Sequence, residues 1–494
     1  MENTDIFVIG GGINGAAIAA DAAGRGLSVI LCEKDDLASG TSSRSTKLIH
    51  GGLRYLETYE FNLVKTALRE REILMRKAPH LVTPLEFVLP HEKHLRPAWM
   101  IRVGLFIYDH LAKRTRIPSS KYINLKNDPR GAALLSKFSK GFSYFDCWTD
   151  DARLTVLNAL AAKENNATIL TRHEFISVKK DKQHWEISIQ NTLTKEIVFY
   201  RAKVLINAAG PWINQVQKQI NPKKLFNIEL VKGSHIIVPK IFEGRFAYIL
   251  QNTDERVVFA IPYHSEFTLV GTTDVSISNE IDQVNISSDE KDYLCTIINK
   301  YFKKSISVSD IVASYSGVRC LQNESENNPA KITRDQKLLL ETEDGLPILT
   351  VVSGKITTHR SLAEEAIDRL KPYFPNMKPA WTASTPLPGG NFIDNDFNIF
   401  YGEFKQKFSW LPEKIAYRYA KSYGTKVYEL LGNAIALEDL GEKFSDDLYQ
   451  KEVEYLIQCE WAKTADDLLW RRSKLGLFLS DVEQKKLAKW LESC

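Results

Sequence analysis

DIFVIG (5–10) is a short β-prone run that leads into GGGINGAAIAADAAGRG (10–26) and then LSVILCE (27–33). Strand, glycine turn, small-residue helix and second strand in that order constrain the chain more than any other feature. Two parallel strands joined through a helix belong to a sheet covered on both faces. Gly10, Gly12 and Gly15 fit G-x-G-x-x-G. The first glycine permits the tight turn, the second leaves room for a pyrophosphate, and the third lets helix and strand approach closely. Asn14 lies in the same turn, at a helix N-terminus whose free N–H groups and positive dipole end suit phosphate. Ala16, Ala17, Ala19 and Ala20 keep the helix thin against the sheet, and Glu33 ends the second strand near the offset of a ribose-binding acid. The unit reads as a dinucleotide site and does not separate NAD from FAD.

Two later segments lean towards FAD. SGTSSRST (39–46) follows the acid, and Thr41, Ser42 and Ser43 offer hydroxyls and N–H groups to a longer cofactor. VVSGKITTHRSLAEEAIDRL (351–370) is a second strand, glycine turn and helix, so Gly354, Lys355, Thr357 and Thr358 could close over an isoalloxazine ring. NAAGPW (207–212) turns from strand to helix at Gly210. KLIHGGLRYLE (47–57) sets Lys47, His50 and Arg54 around Gly51 and Gly52. Glycine pairs let a backbone approach something closely, and the cations suggest an anion. A plain turn explains the glycines equally well.

The 494 residues are enough for two or three domains, and a formal charge of +4 argues against a nucleic-acid coat. Six scattered cysteines (32, 147, 295, 320, 459, 494) form no C-x-x-C pair, so no metal site or dithiol motif is expected, and a reducing compartment is. The first strand begins almost at residue 1, leaving no room for a signal or transit peptide. No apolar run approaches the roughly 20 residues needed to span a bilayer.

Residues 57–80 carry apolar positions Phe61, Val64, Leu68 and Leu74 at helical period. Residues 167–206 read as a meander, and 228–275 as part of a large antiparallel sheet. PLPGGNF (386–392) reads as a linker, after which the chain is helix-prone. HLRPAWMIRVGLFIYDHLAKRTRIP (94–118) places Arg102, Asp109, Lys113 and Arg116 on a narrow polar stripe opposite Trp99, Met100, Val103, Leu105, Phe106 and Ile107. Such a segment suits a helix lying in a membrane interface, and a buried core helix with solvated ends explains it as well.

KLIHGGLRYLE, GGGINGAAIAADAAGRGLSV, LRPAWMIRVGLFIYDHLAKR, AAGPW, KGSHIIVP, GTTD, YSGVR, ITRD and EWAKTADDLLWRRSKLG together resemble the FAD-dependent, quinone-linked glycerol-3-phosphate dehydrogenases of the bacterial aerobic type. The resemblance runs from residue 1 into the helical C-terminal region. It implies an α/β (α+β) fold: a glutathione-reductase-like FAD-binding Rossmann domain, an antiparallel β-sheet substrate domain and a helical C-terminal cap. The FAD-dependent region would be 1–389, with FAD-binding parts about 1–80, 145–220 and 335–389 and substrate-binding parts about 81–144 and 221–334. The helical domain would be 390–494. The implied reaction is oxidation of sn-glycerol 3-phosphate to dihydroxyacetone phosphate at the cytoplasmic face of the inner membrane, with electrons passing to ubiquinone. A homodimer is what the family suggests.

The resemblance assigns roles. Arg54, Arg319, Arg334 and Lys355 are the cations for a phosphate-bearing substrate, where an arginine fork gives paired hydrogen bonds. His235 in KGSHIIV is the expected base, with Arg319 beside the substrate hydroxyl. Tyr55, Arg54 and Lys355 would lie around the phosphate or the ring, and Thr272, Thr273 and Asp274 would shape the substrate domain beside the ring. Lys47 and His50 would line the flavin, with Gly51 and Gly52 bringing backbone close to it. Cys320 departs from the family's usual proline, Ser353-Gly354-Lys355 from its two glycines before lysine, and His359 from tyrosine. Cys320 would sensitise the site to thiol reagents if exposed with a lowered pKa. An amino-acid or amine oxidase of the same flavin superfamily is the nearest alternative, followed by a non-catalytic, flavin-retaining peripheral module.

Overall fold

The computed structural model describes residues 1–92, 95–181, 183–278, 281–322, 336–343 and 345–493. Its first sheet grows from the strand Glu2–Ile9, which pairs in parallel with Val29–Glu33 on one side and Ile197–Asn207 on the other. Thr168–Thr171 and Leu346–Val352 extend the two sides, again in parallel. Parallel pairs need crossovers. The helix Ile13–Gly24 supplies the first, and its buried alanines allow close contact with the helices Asp151–Glu164 and His359–Arg369. His173–Lys180, Trp185–Asn191 and Ile197–Asn207 form the expected meander, while Thr168–Thr171 leaves it for the parallel sheet.

The second sheet is built on Ile228–Pro239, flanked antiparallel by Phe267–Gly271 and Ala313–Gln322. It continues through Val257–Tyr263 and Phe246–Gln251 to Thr83–Pro90 and Lys140–Trp148. Segments far apart in sequence therefore share one sheet. Leu48–Ile49 pairs with Trp148 and Cys147, so a piece of the expected cofactor region is an edge of this other sheet.

The helix expected over 57–80 spans Phe61–Lys77. It buries Val64, Leu68 and Leu74, and also Glu70, Arg71, Glu72 and Lys77. Residues 386–392 are no loose linker. Leu387 and Phe392 are buried, and a Cβ on Gly389 or Gly390 would stand 2.2 Å from the Tyr423 carbonyl or 2.1 Å from that of Lys77. The glycines are there because two backbones meet. Beyond them, Glu413–Tyr423, Gln450–Glu460 and Asp481–Leu491 form helices around a separate apolar core. The segment at 94–118 is helical only over Ala98–His110. Trp99 is 67% exposed and Phe106 54%, whereas Leu105 and Tyr108 face inward. Asp109 does not lie on a solvated stripe: it is buried and accepts from the Ser120 N–H at 2.8 Å and the Ser120 hydroxyl at 2.7 Å. No helix among the described residues is long and apolar enough to cross a membrane.

Candidate functional site: a cofactor cleft between two sheets

A cleft of about 710 Å³ is lined by residues of both sheets. At one end lies the glycine turn. Gly10 has φ +111°, and a Cβ on it would meet the Ala208 carbonyl at 2.6 Å. A Cβ on Gly15 would stand 1.9 Å from the Gly10 carbonyl, so helix and strand touch there, as the motif predicts. Gly12 instead borders the cleft, where a Cβ would meet only Ser42 Oγ, at 3.1 Å. That Oγ accepts the Ile13 N–H at 2.9 Å. Glu33 accepts the Gly11 N–H at 2.7 Å and the Asp35 N–H at 2.9 Å. Burial pushes its carboxyl up to about 7 despite those donors, which leaves a poorly solvated acid where a ribose hydroxyl would find an acceptor.

The late glycine turn packs over the first. Ser353 and Gly354 both have positive φ, and a Cβ on Gly354 would lie 2.5 Å from Asn14 Nδ2, so this turn rests on the first helix. Asn14 Oδ1 and Lys355 Nζ are buried on the cleft wall without a hydrogen-bond partner among the described residues. Lys355 Nζ sits 4.0 Å over the Tyr55 ring. Orphaned polar atoms at such a wall indicate that the site is completed by a ligand. An open glycine turn, an acid at the cleft wall where a ribose would lie and a second turn folded over the first fit FAD.

His235 lies on the central strand of the second sheet, opposite Gly271 and Tyr315. The glycine makes room for it, since a Cβ there would be 2.1 Å from His235 Cδ2, and the Tyr315 ring stacks on it at 4.9 Å. Its Nε2 shares a hydrogen bond of 2.9 Å with the Thr46 hydroxyl. Burial, then Lys47 and Arg319, push the imidazole down to about 3, so it is neutral over the whole working range. Arg319 also lines the cleft and is paired with Asp274.

Most of the expected site residues meet here. Thr41 and Ser42, His50 and Tyr55, Gly210, and Thr357 all border the cleft. Others stand behind its wall. Lys47 is 2% exposed, and its ammonium is held by Asp151 at 2.7 Å and the Ser43 carbonyl at 3.1 Å, so it braces the turn and does not face a ligand. Ser43 itself turns to the Gly40 carbonyl. Thr273 accepts the Ser234 N–H and donates to Glu290, while its neighbour Thr272 lines the cleft in its place. Thr358 is buried at the start of the helix His359–Arg369, and Arg54 is absent from the lining. Arg334 falls outside the described residues.

The opening glycines have a different partner from the one expected. Gly51 donates its N–H to the Tyr108 hydroxyl at 2.9 Å, and a Cβ on it would be 2.6 Å from that oxygen and from Leu68 Cδ2. Gly52, at φ +76°, would collide with the Tyr55 ring. Neighbouring side chains fill the space beside the pair, and neither glycine borders the cleft. Cys320 lines the cleft but is buried, and burial raises its thiol to about 11, so neither condition set for thiol sensitivity is met. Thr46, Arg44 and Arg471 also stand on the wall, with no role expected for them from the sequence, whereas Thr272 was expected there. Thr46 and Arg44 stood in the SGTSSRST run, but nothing in DDLLWRRS signals a cleft. Among the described residues no group of three or more His, Cys, Asp or Glu could hold a metal.

The comparisons agree with this geometry. Residues 5–360 match the model of the FAD-dependent oxidoreductase family, and residues 380–492 match the C-terminal domain of alpha-glycerophosphate oxidase. The chain is 49% identical to a glycerol-3-phosphate dehydrogenase of Pseudomonas aeruginosa, over 100% of this chain and 96% of the relative. It is 47% identical to a D-erythritol 1-phosphate dehydrogenase of Brucella abortus, over 100% and 98%. The crystal structure of the Bacillus halodurans glycerol-3-phosphate dehydrogenase complexed with FAD superposes with a TM-score of 0.80 at 28% identity, covering 99% of this chain and 90% of that one. With the two glycine turns, the half-buried acid and the full-length likeness in agreement, the chain belongs to the FAD-dependent glycerol-3-phosphate dehydrogenase family.

Proposed function

We propose that the protein oxidises sn-glycerol 3-phosphate at C2 to dihydroxyacetone phosphate and passes the electrons to ubiquinone at the cytoplasmic face of the membrane. The observation that carries the substrate class is the Lys355 ammonium, without a hydrogen-bond partner among the described residues, on the same cleft wall as Arg319 and the neutral His235. A phosphate dianion supplies the acceptors that Lys355 lacks. Bound FAD supplies a two-electron acceptor for the hydride that leaves C2. The chain does the rest. Lys355 and Arg319 hold the anion, Arg54 and Arg334 are the further cations that the family resemblance implies, and Tyr55 supports Lys355. His235 takes the hydroxyl proton at Nε2, where Thr46 now sits. Its basicity is low chiefly because it is buried and secondarily because Lys47 and Arg319 are near, and a phosphate bound by Arg319 offsets part of that second effect.

Anaerobic titration of the purified protein with sn-glycerol 3-phosphate, following the flavin spectrum, tests this. Prompt bleaching by that donor, none by glycerol, D-alanine or NADH, and recovery with a ubiquinone analogue are expected. A flavin that stays oxidised would refute the substrate. The Brucella relative favours a second reading, a longer polyol phosphate, and faster bleaching by D-erythritol 1-phosphate would establish it. Membrane contact is supported by the outward Trp99, Val103 and Phe106 of Ala98–His110 and by Arg102, Lys113 and Arg116 around them. W99S/F106S is expected to abolish co-flotation with anionic vesicles while leaving flavin bleaching intact. Undiminished flotation would remove this helix from the membrane face.

A further inference from the structure

The loop that follows Glu33 is gripped from the far end of the chain. Asp36 is fully buried, and two C-terminal arginines hold its carboxylate. Arg472 donates from Nη1 to Oδ2 at 2.8 Å and from Nη2 to Oδ1 at 2.7 Å, and Arg471 donates from Nε to Oδ2 at 2.7 Å. Both arginines belong to a single π-helical turn, Asp467–Arg472. A second tie runs beside the first. Arg172 donates to both oxygens of Asp467, at 2.8 and 2.7 Å, and gives its own N–H to the Asp35 carbonyl at 2.9 Å. Burial alone would raise the Asp467 carboxyl, but Arg471, the Lys463 N–H and Arg172 override it and hold it at about 2, so this anchor stays ionised. On the other side, the Ala38 N–H donates to the Gly11 carbonyl at 3.1 Å, inside the glycine turn. Residues 35–38 are thus clamped between that turn and the C-terminal helices.

The same C-terminal turn reaches the cofactor cleft. Asp466 and Arg471 line it together with Glu33 and Arg44. Arg44 donates to the Ser316 carbonyl at 3.3 Å, and no carboxylate pairs with it among the described residues. Burial, then the nearby Arg471, hold its guanidinium below the ordinary range. An anionic cofactor relieves that strain, so the wall made by Arg44 and the C-terminal turn is more favourable with cofactor than without.

We propose that the turn Asp467–Arg472 is a positioning element of the FAD site, so that cofactor retention and docking of the C-terminal helices stabilise one another. The proposal rests on the cofactor and not on the identity of the substrate. Linkage makes the effect reciprocal: whatever loosens the turn must weaken FAD, and FAD must protect the turn.

The test uses full-length holoenzyme. Arg471 and Arg172 keep 13% and 15% of their side chains exposed, so R471Q and R172Q are gentler than changes at fully buried Arg472. FAD release on dilution, followed by flavin fluorescence, is expected to quicken at least tenfold in R471Q. K426Q breaks the 2.7 Å pair of Lys426 with Glu164, a C-terminal contact away from the cleft, and is expected to leave release unchanged. In the unaltered protein, saturating FAD is expected to slow hydrogen exchange across residues 461–475, a readout that stands even if a variant fails to fold. Unchanged release in R471Q, equal acceleration in K426Q, or exchange at 461–475 indifferent to FAD would each overturn the proposal.

Discussion

Lys355→Met separates what the cleft costs the fold from what it gives the substrate. The ammonium has no acceptor among the described residues and rests 4.0 Å above the Tyr55 ring. An unsatisfied buried donor costs about 1–3 kcal/mol, and a cation over an aromatic face returns about 0.5–2 kcal/mol. Without an anion the two nearly cancel, with a small residue against Lys355. With phosphate bound, a charge-assisted hydrogen bond contributes about 1.5–3 kcal/mol. K355M should therefore lower kcat/KM for sn-glycerol 3-phosphate by roughly 10–150-fold. The melting temperature of the unliganded protein should stay the same or rise slightly, and the rise that inorganic phosphate gives the parent protein should disappear. Flavin bleaching at varied substrate gives the first number, and thermal denaturation with and without phosphate gives the others. A variant with unchanged kcat/KM and an intact phosphate shift would refute the argument, and so would a marked fall in unliganded stability, which would make Lys355 a structural residue.

Three further changes probe other parts of the structure. His235→Gln should keep its flavin spectrum and lose about 10²–10⁴-fold in turnover. Because His235 is held at about 3, an acid limb of kcat/KM near neutrality that vanished in this variant would contradict the assignment of a neutral imidazole. His80 is fully buried, neither ring nitrogen has a partner among the described residues, and burial, then Lys421 and Arg153, hold it well below its ordinary value. The folded form stays neutral while the unfolded form takes a proton below about 6.5, so stability is lost as pH falls, by about 1.4 kcal/mol per pH unit. H80F should flatten the decline in melting temperature between pH 7 and pH 5, and an identical decline would sink the idea. Gly51→Ala drives a methyl group to within 2.6 Å of Leu68 and the Tyr108 hydroxyl. It should cost about 1–3 kcal/mol through overpacking, read as a lower melting temperature, and an unchanged one would mean that the turn relaxes freely.

The opening turn shows how far local pattern reaches. Its spacing specified which glycine turns, which clears the cleft and which packs, because each role depends on atoms only a few residues away. KLIHGG carried the same kind of signal, close approach, without naming what approaches. Tyr108 and Leu68 come from other elements, and their positions depend on the fold of the second sheet and its helices. Lys47 misled for the same reason: a cation beside glycines suggests a ligand until Asp151, far along the chain, is found to hold it.

By itself the sequence determined the βαβ cofactor unit, the helical C-terminal region and the dinucleotide chemistry, since periodicity, glycine spacing and strand-end acids are local properties. Tertiary structure alone decided which cations stay unpaired at the cleft, that burial and two cations keep His235 neutral, and that arginines near the C-terminus hold the loop after Glu33. Those are matters of burial and long-range pairing. The energy of a charge depends on what surrounds it in space, and neighbours in the chain do not supply that information.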